Sequence, residues 1–421
     1  MVRTTSKVIA ASAVIAIAAA ACGSSKTSPP KTGTNSNAPS GATSSGGGGG
    51  KSLKIGVLTD VTGLAASGEA HITDGIKAGI AAAKDAGYDI TYVVGDSATS
   101  PTSVLDAAKK LVTQDHVQVV IGSSAVLFGA STYLTQQNIP VVGFPQDGPE
   151  WLASKNMFSN VGLLDTTKVT TTAGQFFKDR GATSVGTIGY SISPTSAESA
   201  KATGVSAEAV GLKAGYINSK VPFGSTDVQP IALAMKNAGV DAVEPSTDPN
   251  SSFALLGALK SLGVNLKAAL LPIGYGGDLL EQGGATANDI DNAYFTVQFE
   301  PIEMNTPGTQ KFLQYLKGVG GTQAPGLPVY TGYTSLDLLV QGLKNVTGAF
   351  TSQNIIDGLA KVTSWDAAGL LNQPFNPRDP KNSGGPNNCL YIVQVVSGKF
   401  QLVSGADPVC GQPIPGKTVS P

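Results

Sequence analysis

Two adjacent serines, Ser123 and Ser124, are the side chains best placed to do chemistry. They follow an apolar run that predicts a buried strand, and with Ala125 they open a predicted helix. Unpaired backbone N–H groups and the positive end of a helix dipole favour an anion such as a carboxylate at this kind of position, and the hydroxyls add donors. The sequence therefore predicts an anion-binding loop, with ordinary N-cap serines as the alternative.

Six loops are candidates for the ligand site, because ligands of open α/β sheets bind beyond the carboxyl ends of the strands. They are 60–68, 123–125 and 143–147 in one half of the chain, and 190–193, 244–248 and 272–277 in the other. For an aromatic side chain in these loops, packing inside the fold is the alternative to a ligand contact. The further side chains predicted to contact a ligand are Phe144, Gln146, Asp147, Tyr190, Asp248 and Tyr275.

Residues for catalysis or metal binding are scarce. The chain has two histidines, His71 and His116, and they lack a paired metal-ligand spacing. No Gly-x-Ser-x-Gly element presents a nucleophilic serine. The five glycines at 46–50 precede the fold and do not complete the Gly-x-x-x-x-Gly-Lys-Ser/Thr pattern of a phosphate-binding loop. We therefore expect a binding protein with no metal, no cofactor and no enzymatic activity.

Alternating strand and helix patterns must position these loops. From residue 53, short apolar runs alternate with stretches whose apolar residues recur at helical spacing, as in Ile72, Ile76 and Ile80. The alternation restarts after Asp165 with a helix predicted over 166–179. Two such runs predict two Rossmann-like α/β lobes with parallel sheets. Long helical patterns dominate after about residue 297, and we expect them to return to the first lobe.

The composition limits the partners of this body. Charged residues make up 14% of the chain and the formal net charge is −1, so the sequence offers no basic patch for a nucleic acid. About 370 residues follow the N-terminal region, a length that suits two domains. After the N-terminal region, no stretch is apolar over the roughly 20 residues that a membrane helix needs.

The first 52 residues predict export and a membrane anchor. Arg3 and Lys7 precede an apolar run over 8–21, which is too short for a stable membrane span and indicates a signal peptide over 1–21. The run ends in Ala19-Ala20-Ala21-Cys22-Gly23, which resembles the lipobox of bacterial lipoproteins and implies lipidation of Cys22. A plain secretory signal is the alternative. Residues 22–52, rich in Gly, Ser, Thr and Pro, predict a disordered linker.

The two remaining cysteines, Cys389 and Cys410, form an even pair in an oxidising compartment. Between them lie two apolar runs separated by Ser397-Gly398-Lys399, a pattern typical of a β-hairpin. We predict a disulfide that closes this hairpin, with two free thiols as the alternative.

Several segments, in this order and spacing, resemble the type I periplasmic binding proteins, specifically the branched-chain amino-acid binding group of ABC importers. They read IGVLTDVTG at 55–63, VVIGSS at 119–124 and QNIPVV at 137–142, and the resemblance runs from about residue 53 to 404. It implies a clamp of the Venus-flytrap type joined by three crossovers, near Val161, Phe299 and Cys389. The lobes would comprise 53–161 plus 299–388 and 162–298 plus 389–410.

The resemblance also implies the role of the protein. It predicts a monomeric, lipid-anchored lipoprotein on the extracytoplasmic face of the cell membrane. This lipoprotein would capture a small polar or carboxylate-bearing solute and deliver it to the permease of an ABC importer. Amino-acid transport is the activity of the resembled group. A ligand-sensing lipoprotein that uses the same clamp without transport is the alternative function.

Amino-acid binders of the resembled group hold the ligand carboxylate at the serine loop and the ammonium on an acid of the second lobe. Here Ile273 or Tyr275 falls where that acid should lie, and neither can pair with an ammonium. We therefore predict a ligand other than a standard branched-chain amino acid. Asp248 is the first candidate to replace the missing acid, and Glu244 is the second.

Overall fold

A computed structural model describes residues 51–146, 148–162, 165–277, 289–379, 389–403 and 408–421. The predicted signal peptide, Cys22 and the predicted linker up to residue 50 lie outside the described residues, and so does the predicted ligand contact Asp147. None of the helices in the described ranges combines the length and apolarity that crossing a bilayer requires.

The first sheet contains five parallel strands in the order β2-β1-β3-β4-β5. The strands β3, β4 and β5 are buried along their whole length, as expected for a parallel sheet covered on both faces. We call the body around this sheet the first lobe. Its strands are β1 (Lys51–Thr59), β2 (Tyr88–Asp96), β3 (Val119–Ser123), β4 (Val141–Gly143) and β5 (Met157–Ser159), and its helices are α1 (Ile72–Asp85), α2 (Pro101–Thr113), α3 (Phe128–Gln136) and α4 (Glu150–Ala153).

The second sheet has the order β13-β12-β11-β10-β9-β7-β8, and β14 pairs with β12. It is parallel from β8 to β11 and antiparallel beyond, and the body around it is the second lobe. Its strands are β7 (Ser184–Tyr190), β8 (Lys213–Val221), β9 (Ala242–Ser246), β10 (Ala268–Leu271), β11 (Tyr294–Val297), β12 (Cys389–Val396), β13 (Lys399–Leu402) and β14 (Val409–Cys410), and its helices are α5 (Thr172–Asp179), α6 (Pro194–Ala209), α7 (Gln229–Asn237) and α8 (Pro249–Ser261).

Local sequence signals explain where several helices begin. Ser100, Ser193 and Asp248 are each followed by proline at the first helical position, and the side chain of each accepts a hydrogen bond from the backbone of the next turn. Such residues satisfy N–H groups that have no partner inside the helix, and proline there lacks the N–H in any case. Each of these three helix starts is therefore marked by a local signal in the sequence itself.

In the described part of the chain, three helices follow β11, and the one over Leu327–Lys344 is the longest described helix. They are α9 (Pro307–Gly318), α10 (Leu327–Lys344) and α11 (Ser352–Ala360). The described residues also form 3-10 helices at three places along the chain, η1 (Ala66–Glu69), η2 (Ile302–Met304) and η3 (Ala367–Gly369). The helix α10 packs against α1 at two glycines, because a Cβ on Gly75 would lie 2.0 Å from the carbonyl oxygen of Val329 and one on Gly79 would lie 2.6 Å from Cβ of Leu336. The chain therefore does return from the second sheet to pack on the first lobe.

The structure corrects some predicted boundaries. The helix predicted over 166–179 begins only at Thr172, because 168–170 form a short strand, β6 (Lys168–Thr170), that pairs with the C-terminal strand β15 (Pro413–Thr418). The predicted hairpin is confirmed as β12 and β13, and a disulfide joins Cys389 to Cys410. The residue limits of the lobes and crossovers stay a prediction, and the residues just before Cys389 lie outside the described part of the chain.

We predict that Gly75→Ala lowers the free energy of unfolding by about 1–3 kcal/mol, since the added methyl group meets backbone rather than a side chain that could move. The matched control is Gly318→Ala at the exposed end of α9, where nothing lies within 4 Å of the added Cβ. This control should leave stability unchanged or raise it by up to about 1 kcal/mol. Urea denaturation of both variants is the measurement. Equal effects of the two substitutions would contradict the close approach of α1 and α10.

Candidate ligand-binding site

A cavity of about 300 Å³ lies between the two lobes, at the small end of the range for ligand pockets. Each of the six loops nominated from the sequence contributes to it, together with residues of η1, α5, α6 and β11. The residues that line the cavity include Glu69, Ala125, Phe144, Gln146, Tyr190, Ser196, Ser199, Phe223, Glu244, Ser246, Asp248, Leu270, Ile273 and Gln298.

The two lobes touch each other beside this cavity. The Nδ2 of Asn250 in the second lobe donates to the Oγ of Ser67 in the first lobe at 3.1 Å. Leu64 of the first lobe lies so close to Gly224 of the second that a Cβ there would sit 2.8 Å from its Cδ1. The cavity is thus bordered by contacts across the cleft.

The serine loop already holds a carboxyl group, that of Asp60. Ser124 Oγ donates to Asp60 Oδ1 at 2.6 Å, and the backbone N–H of Ala125 donates to Asp60 Oδ2 at 2.8 Å. Ser97 Oγ also donates to Asp60 Oδ1. Burial raises the pKa of Asp60, and these hydrogen bonds act in the opposite direction. The loop therefore has the donors that the sequence predicts, and an internal side chain occupies them.

Neither predicted serine lines the cavity. Ser123 and Ser124 are 2% and 1% exposed, and Ser123 Oγ donates to Glu69 Oε2 at 2.7 Å. In this geometry both hydroxyls donate to acidic side chains of the first lobe, so their contact with a ligand stays a prediction that this arrangement does not support. Ala125 lines the cavity, but its N–H is taken by Asp60.

Glu69 is an acid at the cavity wall that the sequence analysis missed. It ends η1, is 8% exposed, and accepts hydrogen bonds from Gln146 Nε2 at 2.7 Å and from Ser123. Burial and, second to it, the nearby Asp60 raise the pKa of Glu69 to about 8 against the opposing effect of the hydrogen bonds. Glu69 is therefore mostly protonated at neutral pH. Its one sequence signal is that it lies next to a nominated loop.

On the opposite wall, Asp248 serves as the N-cap of α8. Its Oδ1 accepts from the N–H groups of Asn250 and Ser251 at 2.8 and 3.2 Å, and its Oδ2 accepts from Ser251 Oγ and from the hydroxyl of Tyr190. Four donors saturate this carboxyl group, so Asp248 is poorly placed to pair with a ligand ammonium. The ring of Tyr190 still lines the cavity and packs on Phe223, with 4.7 Å between ring centroids.

Glu244, the second candidate from sequence, has an unsatisfied oxygen instead. It lies in β9, lines the cavity and is 9% exposed, and its Oε2 is buried without a hydrogen-bond partner. Burial raises the pKa of Glu244 to about 7, and the hydroxyl of Thr203 opposes the shift. Gln298 Oε1 is the other buried side-chain oxygen of the cavity wall that lacks a partner.

The aromatic candidates divide between the cavity and the core. For Phe144 the sequence left open whether the ring faces a ligand or packs inside the fold. In the structure, Phe144 lines the cavity and also belongs to the buried core. Tyr275 lies outside the cavity wall, so its contact with a ligand stays a prediction. Its hydroxyl donates to Glu303 Oε2 at 2.7 Å and its ring packs on Phe400 at 4.9 Å. Ile273, two residues earlier, does line the cavity.

We predict that Glu244→Gln stabilises the ligand-free protein more at pH 8 than at pH 5. Between about pH 4.5 and 7 the unfolded chain releases the Glu244 proton while the folded protein keeps it, so this group's contribution to stability is lost as pH rises through about 7. At about 1.4 kcal/mol per pKa unit, the difference amounts to a few kcal/mol. Thermal denaturation at both pH values is the measurement, with exposed Glu208→Gln as the control. An identical shift at both pH values would contradict the burial of Glu244.

Comparison with known proteins agrees with this geometry. A family model described as periplasmic binding protein matches residues 52–399, whereas a search of curated protein sequences gave no match. A solute-binding protein of an ABC transporter from R. palustris, in complex with 4-hydroxybenzoate, superposes with a TM-score of 0.68 at 18% identity, over 84% of this chain and 96% of that one.

Two similar structures come from amino-acid binders. The leucine-binding protein LivK of Thermotoga maritima has a TM-score of 0.68 at 17% identity, over 84% of this chain and 98% of that one. The branched-chain amino acid transporter substrate-binding protein LivJ of Streptococcus pneumoniae, in complex with isoleucine, has a TM-score of 0.67 at 18% identity, over 88% of this chain and 100% of that one. Such identities show a shared fold. By the family match and this fold, the chain belongs to the periplasmic binding proteins and has the two-lobed α/β architecture of their type I members.

Proposed function

We propose that this protein is an extracytoplasmic receptor that encloses a small organic solute between its lobes and delivers it to the permease of an ABC importer. One observation carries the proposal, namely the cavity of about 300 Å³ lined by loops from both sheets and bordered by contacts across the cleft. Clefts at the carboxyl ends of parallel strands are the usual ligand sites of α/β proteins, and closure of two domains around a ligand is a common mode of capture.

The family supports the same role. The similar structures include an ABC transporter component bound to 4-hydroxybenzoate and a transporter component bound to isoleucine, which are small organic solutes. The expectation that this chain binds something other than a standard branched-chain amino acid is kept. It is supported by Ile273 at the cavity wall and by the internal carboxyl group of Asp60 in the serine loop.

Membrane attachment through Cys22 completes the proposal. The segment at 19–23 has the small residues and the cysteine of a lipobox, and the Gly- and Ser-rich residues up to 52 suit a tether for the α/β body. We infer that the body is held at the extracytoplasmic face of the cell membrane, where a captured solute is close to its permease.

Capture should bring the lobes together without changing secondary structure. The compound that co-purifies with the protein is released by gentle denaturation, identified by mass spectrometry and titrated back into the refolded protein. We expect a smaller radius of gyration in small-angle scattering and an unchanged far-ultraviolet circular dichroism spectrum. Cells that lack the protein should lose uptake of the same compound. An unchanged scattering profile at saturation would refute the clamp, and normal uptake would refute the transport role.

Lipidation is tested by Cys22→Ala. The thiol is the only group at this position that can receive the acyl chains, so the variant should lose incorporation of radiolabelled palmitate and leave the membrane fraction. Ser24→Ala, two residues along, is the control and should be labelled normally. Equal labelling of the Cys22 variant and the control would show that the anchor lies elsewhere or is absent.

A further inference from the structure

We propose that the solute is an organic ammonium compound, with an apolar body, whose charged nitrogen binds Glu244, and that it carries no carboxylate. This inference rests on the proposed function and specifies the class of ligand for the same cavity. It differs from the expectation of a carboxylate ligand, and it follows from three features of the cavity wall.

The first feature is that the unsatisfied oxygens of the wall accept hydrogen bonds. Among the described residues of the wall, two buried side-chain atoms lack a partner, namely Glu244 Oε2 and Gln298 Oε1. An amide can present either of its ends after rotation, so Glu244 carries the argument. A buried acceptor without a donor is unfavourable by about 1–3 kcal/mol. An ammonium brings three donors and no acceptor, whereas an ionised carboxylate brings acceptors alone. In its ionised form, Glu244 therefore favours a ligand that donates, and an ammonium stabilises that form in turn.

The second feature is the lack of a place for a carboxylate. The N–H and hydroxyl donors of the serine loop are occupied by Asp60. The described residues of the cavity wall include no lysine, arginine or histidine. Two hydroxyl groups of the second lobe also donate within the protein. Ser196 Oγ donates to the backbone carbonyl of Ser246, and Ser246 Oγ donates to Ser199 Oγ. A ligand carboxylate would lie near Glu244 without a cation, and the ionised form of that side chain would repel it.

The third feature is the apolar part of the wall. Phe144 of the first lobe faces a cavity that Tyr190, Phe223, Leu270 and Ile273 line from the second. These side chains favour a hydrocarbon or aromatic ligand body by the hydrophobic effect. The rings of Tyr190 and Phe223 can also stabilise an ammonium through their faces. An apolar body with one charged nitrogen matches all three features.

The charge of the ligand sets the sign of the pH dependence. Burial raises the pKa of Glu244 to about 7 and that of Glu69 to about 8. An ammonium needs Glu244 in its ionised form, so affinity should rise with pH by up to about tenfold per unit below that pKa. A carboxylate ligand would show the opposite trend. The other titratable groups on β7, α6 and α8 are Tyr190, Glu198, Lys201, Glu208, Lys260 and the N-cap Asp248. The two bases among them, Lys201 and Lys260, are not among the described residues that line the cavity.

The test compares matched probes by isothermal titration calorimetry on the mature protein. Benzylamine is paired with benzoate, and isoamylamine is paired with leucine, which adds a carboxylate to the same carbon skeleton. We expect an amine to bind more tightly than its partner, and its affinity to rise between pH 6 and pH 7. Glu244→Gln, which keeps the shape of the side chain, should weaken amine binding at least about tenfold. The matched control Glu208→Gln lies on the exposed end of α6 and should bind normally.

Several results would overturn the inference. They are tighter binding of benzoate or leucine than of the matched amine, affinity that falls as pH rises, unchanged amine binding in Glu244→Gln, or no binding of either amine at about 1 mM, the weak end of the affinity scale. The pH series uses the unaltered protein, so it does not depend on how the variant folds. If benzoate or leucine closes the lobes in scattering, the receptor function survives and the ammonium assignment alone fails. If the co-purified compound leaves the scattering profile unchanged, the receptor function itself fails.

Discussion

The carboxyl group of Asp60 is the interaction on which the first-lobe half of the site depends. Asp60 follows β1, and it binds Ser97 just after β2 and Ser124 and Ala125 just after β3. One buried side chain therefore joins the carboxyl ends of three neighbouring strands. A buried acid is tolerated only when donors surround it, and the serine loop supplies them. The same loop would otherwise be the obvious place for an external anion.

This arrangement determines the electrostatic character of the whole cleft. Because Asp60 is held in the loop, Ser123 remains as a donor to Glu69, and Gln146 donates to the other oxygen of that acid. The second lobe adds Glu244 with one unsatisfied oxygen. Acids thus face the cavity from both lobes, and burial raises the pKa of each. In the ligand-free protein, burial of these two acids disfavours their ionised forms. Titratable groups with shifted pKa values are common at binding sites, where a ligand can stabilise the ionised form.

The sequence predicts more of the fold than of the ligand-binding site. Apolar periodicity and Ser-Pro or Asp-Pro helix starts are local signals, and they located the strands and helices around both sheets. The pairing of β6 with β15 joins residues about 240 positions apart, and no local pattern records it. The serine loop follows a buried strand and has the donors that the sequence predicts. The carboxyl group that these donors bind belongs to Asp60, which follows a different strand and lies 64 residues before Ser124. We propose Glu244 ahead of Asp248, the reverse of the order expected from sequence. The reason is visible in the sequence, since Asp248-Pro249 is itself a helix-capping signal and a capping carboxyl group is already engaged.

The position of Glu244 also connects ligand charge to closure of the clamp. With the lobes apart, water could hydrate its unsatisfied oxygen, and the carboxyl group would lose little by being ionised. When the lobes meet, as they do at Ser67 and Asn250, that water is displaced and the unpaired acceptor disfavours the closed form by its desolvation. A ligand that donates a hydrogen bond to Glu244 offsets this desolvation energy, whereas a ligand that only fills the cavity does not. A ligand shifts a conformational equilibrium only by its difference in affinity for the two states. In this fold that difference would come from an acid whose hydration depends on the distance between the lobes.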